Sequence, residues 1–136
     1  MKNTAFQDNI LYNLLNDSAL KTAITGKIYK GQRPLGSKLE DVVIQSMPIS
    51  DGTLQQGVAN VNIYIPMLYQ NILSQKQVYR NTARIEQILN IATPILKESF
   101  GENYSMWTSK QGDYPEEELE QTRLNYRIEF RIDDTI

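Results

Sequence analysis

The clearest pattern in the sequence is a strict alternation of apolar and polar residues near the C-terminal end. The apolar positions are Leu124, Tyr126, Ile128, Phe130 and Ile132. Arg123, Arg127 and Arg131 are among the polar residues between them. Successive side chains of a β-strand point to opposite faces of its sheet. The pattern therefore predicts a strand with one buried face and one polar face.

A second alternating segment predicts a similar strand in the middle of the chain. Every other residue from 59 to 65 is apolar, and Asn60, Asn62 and Tyr64 lie on the opposite face. The Asp-Gly pair at 51–52 is typical of hairpins, so we expect it to join this strand to the one before it. Three shorter strands are predicted at 27–30, 41–47 and 104–109.

Two helices are predicted at the N-terminal end. The first begins at Thr4, because its hydroxyl and the Gln7 amide fit a capping box, and ends near Asn16. Apolar residues within it recur at helical spacing. The second is a short helix at 19–25, capped by Asp17 or Ser18 and ended by a glycine.

A longer helix is predicted from Val78 to Leu96, where apolar residues keep a helical period over about twenty residues. Pro94 removes a backbone donor, so we expect a bend or an end near Ala92. The elements together predict an α+β fold. Its mostly antiparallel sheet has about four to five strands, with the long helix and the two short N-terminal helices packed on one face. Residues 1–136 are expected to form a single domain.

Composition limits the chemistry available to the chain. Cysteine and histidine are both absent, which removes thiolate nucleophiles, the commonest metal ligands and the usual acid–base catalyst. Composition therefore argues against most classes of enzyme, and we expect no cofactor and no metal. The net charge of -2 gives no attraction to nucleic acid. No apolar stretch has spanning length and the first residues are polar, so we expect neither a signal peptide nor a membrane partner.

Carboxylates cluster at Glu116–Glu118 and at Asp133–Asp134. Oxygen ligands suit Mg²⁺, so a magnesium-dependent enzyme using Glu116 to Glu118 is one hypothesis. Neither cluster has metal-loop spacing, and we favour a solvated loop and a polar tail. The segment 111–120 is longer than a tight hairpin needs, so we expect it to project as an arm.

The polar sheet face is open to two interpretations, a solvated surface or a subunit interface. Arginine and tyrosine are enriched at interfaces, and tyrosines at strand ends or in loops can anchor contacts. Partial burial explains each tyrosine equally well. The candidate interface residues are Tyr29, Arg33, Asn60, Asn62, Tyr64, Asp113, Tyr114, Glu116, Glu117, Arg123, Arg127 and Arg131.

Several short strings occur in an order found in one known family. They are Leu14-Leu15-Asn16-Asp17-Ser18-Ala19-Leu20, Gly26-Lys27-Ile28-Tyr29, Gly31-Gln32-Arg33-Pro34-Leu35-Gly36, Val42-Val43-Ile44, Val61-Asn62-Ile63-Tyr64, the segment 84–96 and Tyr126-Arg127-Ile128-Glu129-Phe130. In these strings the chain resembles the tail-completion or tail-terminator proteins of tailed phages. The resemblance covers most of the chain, although the acidic segment 113–120 departs from it.

The resemblance implies a structural phage or prophage protein without catalysis. Such a protein completes the tail and joins it to the head by forming a homo-oligomeric ring, commonly of about six subunits. The implied partners are further copies of the chain, the tail tube protein and the head connector protein. The implied location is the bacterial host cytoplasm during assembly and then the tail–head junction of the virion.

An alternative hypothesis is a cytoplasmic module that binds a protein or a small ligand. Its site would be an apolar pocket between the long helix and the sheet. Such a module is expected to stay monomeric, and its melting temperature should rise when the ligand binds.

Overall fold

Two long antiparallel strands form the centre of the fold. A computed structural model describes residues 1–135. Strand Leu54–Pro66 pairs with strand Gln121–Asp133 along its whole length of 13 residues. In chain order the elements are α1 (Thr4–Asn16), α2 (Ala19–Ala23), β1 (Ile28–Lys30), β2 (Val42–Ser46), β3 (Leu54–Pro66), β4 (Leu68–Ile72), β5 (Gln75–Tyr79), α3 (Thr82–Leu96), β6 (Glu98–Phe100), β7 (Tyr104–Glu116), a 3-10 turn (Glu117–Leu119) and β8 (Gln121–Asp133).

The main sheet is mixed and has six strands in the order β1-β2-β3-β8-β7-β6. Strands β1 and β2 are parallel, and every other neighbouring pair is antiparallel. Strands β4 and β5 form a separate two-stranded hairpin. The expected link between β2 and β3 is confirmed, and Gly52 supplies its positive φ of 118°.

One face of the sheet and the three helices enclose a continuous apolar core. The predicted alternation in β3 and β8 is confirmed, since its apolar positions are buried. These are Ala59, Val61, Ile63, Ile65, Leu124, Tyr126, Ile128, Phe130 and Ile132. Burial raises the pKa of Tyr126, whose hydroxyl hydrogen-bonds Thr93 of α3 at 2.7 Å. Each large apolar side chain buried in this way contributes about 1.5–3 kcal/mol.

The expected α+β balance is wrong, because strands dominate the fold. They make up 44% of the chain, and the main sheet has six strands rather than four or five. The expected long helix from Val78 to Leu96 is also wrong, because all three helices are short. Val78 belongs to β5, and the 15-residue α3 begins only after Asn81, which caps it by accepting from the Arg84 backbone N–H at 3.2 Å. It continues past Pro94 to the buried Leu96. Within residues 1–135, no helix is long and apolar enough to span a membrane.

The expected projecting arm at 111–120 is also wrong. Strand β7 stays paired with β8 as far as Glu116, and a 3-10 turn leads directly into β8. An irregularity between Thr108 and Lys110 shifts the register. A bulge of this kind reverses which residues face the core, so the alternation seen at 104–108 does not continue along the strand.

The N-terminal cap differs from the expected one. Asn3, rather than Thr4, caps α1 by accepting from the Phe6 backbone N–H at 3.3 Å. Gln7 is buried against the sheet, and its Nε2 donates to the Val58 carbonyl oxygen at 3.4 Å. As expected, the Ser18 side chain caps α2.

A partly buried ion pair connects the loop before β2 with α3. The carboxylate of Glu40, which is 5% exposed, accepts from Arg84 Nε at 2.7 Å and from Nη2 at 2.6 Å. Nη2 also donates to the Ala23 carbonyl oxygen at 2.6 Å, at the end of α2. The hydrogen bond to Glu40 raises the pKa of Arg84 above its ordinary value, against the opposing effect of burial.

Replacing Arg84 tests whether this ion pair holds the loop and the helices together. Arg84→Met leaves the buried Glu40 carboxylate without its cation, so we expect the free energy of unfolding to fall by about 3 kcal/mol. The matched control is Arg80→Met, because Arg80 pairs with Asp113 at 2.8 Å in a more exposed position. We expect the control to lose less than about 1 kcal/mol. Urea unfolding followed by tryptophan fluorescence measures both losses, and equal losses would contradict the assignment.

Candidate functional site

One face of the main sheet carries no helix within residues 1–135, and we call it the open face. All three helices bury their apolar side chains against the opposite face. The alternation along the strands therefore leaves a polar surface on the open face. Its central residues are Asn60, Asn62, Tyr64, Trp107, Lys110, Tyr114, Arg123, Asn125, Arg127, Glu129 and Arg131.

Asparagine side chains hydrogen-bond across the middle of the open face. Asn125 Nδ2 donates to Asn62 Oδ1 at 2.8 Å and to Asn60 Oδ1 at 3.3 Å. Arg123 Nη1 donates to the same Asn62 oxygen at 3.3 Å. These side chains line a polar depression of ≈ 430 Å³. Their mutual hydrogen bonds hold these side chains in defined positions.

Three arginines of the open face lie over aromatic rings. The distances from guanidinium carbon to ring centroid are 3.7 Å for Arg33 over Tyr64, 4.8 Å for Arg123 over Tyr114 and 5.9 Å for Arg131 over Trp107. Contacts of this kind contribute about 0.5–1 kcal/mol each at exposed sites. They also hold flexible arginine side chains in defined positions.

Arg123 is held on several sides. Its Nε donates to Glu116 Oε1 at 2.8 Å, in addition to the contacts with Asn62 and Tyr114. The Tyr114 ring lies close to Gly112, where a Cβ atom would come within 2.9 Å of the tyrosine hydroxyl. A larger residue at 112 would therefore displace the ring over which Arg123 is placed.

Arg127 and Glu129 form a second polar group further along β8. Arg127 Nε donates to Glu129 Oε2 at 3.0 Å, and the Ser109 hydroxyl donates to the same oxygen at 2.9 Å. Partial burial acts to raise the pKa of Glu129, but these two hydrogen bonds, together with the positive charges of Arg127 and Lys110, outweigh it and lower the pKa below its ordinary value.

The open face brings together all the candidate interface residues except Asp113 and Glu117. Tyr29 lies at its edge, in register with Val43. Asp113 follows the bulge in β7 and, in register with the core residue Leu124, lies on the other side of the sheet. Glu117 lies in the 3-10 turn at the end of the sheet.

Two buried residues that the sequence analysis missed hold Arg33 in place. The Asp41 carboxylate is fully buried and accepts from the Lys27 backbone N–H at 3.1 Å, the Ser37 hydroxyl at 2.5 Å and Arg33 at 3.5 Å. Arg33 also donates to the buried side chain of Gln121. Gln121 is 88 positions away in the chain, so no local pattern indicated this contact.

The carboxylate clusters do not form a metal site in the part of the chain described here. Among residues 1–135, no group of three or more Asp or Glu side chains is placed to hold a metal ion. Glu116 instead pairs with Arg123 at 2.8 Å.

The chain matches no protein family model, and it has no significant match among curated proteins.

Replacing Arg127 tests the ion pair on the open face. Arg127→Gln removes a cation that favours the Glu129 carboxylate, so we expect the pKa of Glu129 to rise. A carboxylate with a lowered pKa stabilises the fold above its unfolded-state pKa and loses that effect as the pH falls. The free energy of unfolding of the parent should therefore exceed that of the variant near neutral pH, and this difference should shrink as the pH falls into the acid range. Carbon-13 NMR titration of the Glu129 carboxyl measures the shift.

Arg131→Gln is the control, because Arg131 lies over Trp107 and donates no hydrogen bond to Glu129. An unchanged Glu129 titration in Arg127→Gln, or an equal change in the control, would contradict the pairing.

Proposed function

We propose that this chain is a structural phage or prophage protein that completes the tail and joins it to the head by forming a homo-oligomeric ring, without catalysis. The observation that carries the proposal is the open face, on which arginines lie over aromatic rings. Trp, Tyr and Arg are the residue types enriched in interfaces and in their energetic centres. The resemblance to tail-completion proteins supplies the assembly in which such an interface is used.

The hydrogen bonding of the open face favours a docking surface. Burying a polar group is costly mainly when the group is left without a partner. Asn62 Oδ1 already accepts from Asn125 and from Arg123, and Arg127 is paired with Glu129. A neighbouring subunit that covers this face therefore has fewer unpaired polar groups to satisfy. Fixed side chains also reduce the entropy lost on association.

The asymmetry of the sheet is compatible with a ring. One edge strand is β1, which has a parallel neighbour, and the other is β6, which has an antiparallel neighbour. A contact between two different surfaces of neighbouring copies is heterologous, and it gives a ring when the rotation between copies closes. The tail tube protein and the head connector protein are proposed as partners at the two ends of this ring.

The charge of the chain suits a ring through which DNA passes. Its net charge of -2 gives no overall attraction to the phosphate backbone. In this proposal, DNA crosses the bore without being held. The alternative, a monomeric ligand-binding module, stays a prediction that the following experiment also tests.

Charge reversal on the open face tests the proposal. We expect the double variant Arg127→Glu, Arg131→Glu to abolish ring formation, because both arginines lie exposed on the proposed interface. Light scattering on a sizing column and negative-stain imaging measure assembly. Circular dichroism and thermal unfolding establish whether the variant is folded.

The matched control is Lys21→Glu, Lys97→Glu, which makes the same charge change at exposed residues of α2 and at the end of α3. We expect the control to assemble normally. Rings formed by the folded open-face variant would overturn the assignment of the interface. A parent chain that stays monomeric, with a melting temperature raised by a ligand, would favour the binding module.

A further inference from the structure

The loop that follows β1 lies at the edge of the open face, and we call its residues 31–36 the strap. Most side chains of the strap are exposed to solvent. Its backbone hydrogen bonds are local: the Gln32 N–H donates to the Lys30 carbonyl oxygen at 3.0 Å, and the Ser37 N–H donates to the Pro34 carbonyl oxygen at 3.3 Å. Neither bond connects the middle of the strap with a distant part of the fold.

Both ends of the strap are glycines in a backbone conformation that other residues rarely adopt. Gly31 has a φ of 82° and Gly36 has a φ of 76°. A Cβ atom at either position would meet no heavy atom within 4 Å outside the adjacent residues, so close packing does not require these glycines. Between them, Pro34 fixes its own φ and favours extended backbone at Arg33. The strap is therefore a stiff segment between two residues whose backbone torsions change readily.

The side chain of Arg33 holds this segment to the rest of the fold. It is only 11% exposed. Its guanidinium donates to the Asp41 carboxylate at 3.5 Å and to the Gln121 side chain, and it lies 3.7 Å from the centroid of the Tyr64 ring. Asp41 and Gln121 are both fully buried. The contacts of one side chain thus take the place of the backbone pairing that the strap lacks.

The position of the strap determines the surroundings of the Asp41 carboxylate. In the closed strap, Arg33 supplies the positive charge beside this buried group. Its other donors, the Lys27 backbone N–H and the Ser37 hydroxyl, carry no charge. A buried carboxylate that loses its cation is costly, and an opened strap lets water reach the carboxylate. Loss of the Arg33 contact should therefore open the strap.

We propose that the strap opens about Gly31 and Gly36, and that Arg33 holds it closed. In the closed form, Arg33 covers one face of Tyr64, which lines the polar depression of the open face. In the open form, Tyr64 loses this contact, and the edge of the open face has a different shape and charge. Closure of the strap therefore controls whether the open face can dock. That control rests on the proposed function, whereas opening is a property of the single chain.

Arg33→Leu tests whether this side chain holds the strap. We expect the nitrogen-15 NMR order parameter of the Leu35 amide to fall from about 0.85 to below about 0.6. Because water then reaches Asp41, the equilibrium constant for unfolding in urea should rise less than about tenfold. The matched control is Arg80→Leu, which removes an arginine paired with Asp113 in an exposed position. The control should leave the Leu35 amide ordered.

Replacing both hinge glycines tests the proposed movement without changing a buried group. In the double variant Gly31→Ala, Gly36→Ala, positive φ is less favourable, so we expect a larger population of the open form. Relaxation dispersion of the strap amides measures that population. The matched control is Gly52→Ala, since Gly52 also has positive φ and its nearest neighbour for a Cβ atom is 3.9 Å away. It should leave the strap amides unchanged.

Light scattering tests the effect of the strap on assembly. Self-association of Arg33→Leu should be at least about tenfold weaker than that of the parent and of Arg80→Leu. The expected reason is that Arg33→Leu leaves the edge of the open face without its closed strap.

The outcomes separate this inference from the proposed function. An ordered Leu35 amide in folded Arg33→Leu, or strap amides unaffected by the two alanines, would overturn the opening of the strap and leave the ring proposal standing. A loosened strap with unchanged assembly would overturn its control of docking. A parent that stays monomeric would contradict the proposed function and that control, while the NMR measurements still decide whether Arg33 holds the strap closed.

Discussion

The register between β3 and β8 is the constraint on which the rest of the structure depends. The two strands pair along 13 residues, with Val61 opposite Tyr126 in the core and Asn62 opposite Asn125 on the open face. A shift by one residue in either strand would turn its apolar set toward solvent and its polar set into the core. The same register therefore sets both the apolar core and the arrangement of the open face.

Long-range polar contacts then fix the segments around this central pair. Arg84 connects Glu40 with the end of α2, and Asp41 holds Arg33 against the sheet. Arg33 in turn lies over Tyr64. A loop that contains two glycines and a proline is in this way held at the edge of the open face. The candidate interface is therefore preformed, which reduces the conformational entropy lost when a partner docks.

The sequence predicts the parts of the fold that depend on local periodicity. The alternation that ends at Ile132 and the polar positions of β3 place most of the candidate interface on one surface. Periodicity fails where pairing does not need apolar residues. Strand β7 continues beyond its bulge from Lys110 to Glu116, and β3 begins at Leu54, before the alternation that starts at Ala59. Neither of these two segments alternates regularly between apolar and polar residues.

Other features have no local signal at all. The turn at Leu73 and Ser74 lacks the glycine or asparagine that indicates a hairpin, so the segment resembles a polar connector. The contact of Arg33 with Gln121 joins residues far apart in the chain. Such contacts depend on the assembled sheet, and a single sequence read by local pattern does not reveal them.

The central claim is that a neighbouring copy of the chain covers the open face. Trp107 is the only tryptophan and lies on that face beside Arg131, so its fluorescence reports directly on the claim. The measurement is acrylamide quenching of Trp107 in the parent chain, with the mass measured by light scattering in the same samples across a wide concentration range. We predict that quenching falls as the mass rises from monomer to ring. A mass that stays monomeric, or rings in which Trp107 is quenched as strongly as in the monomer, would contradict the account.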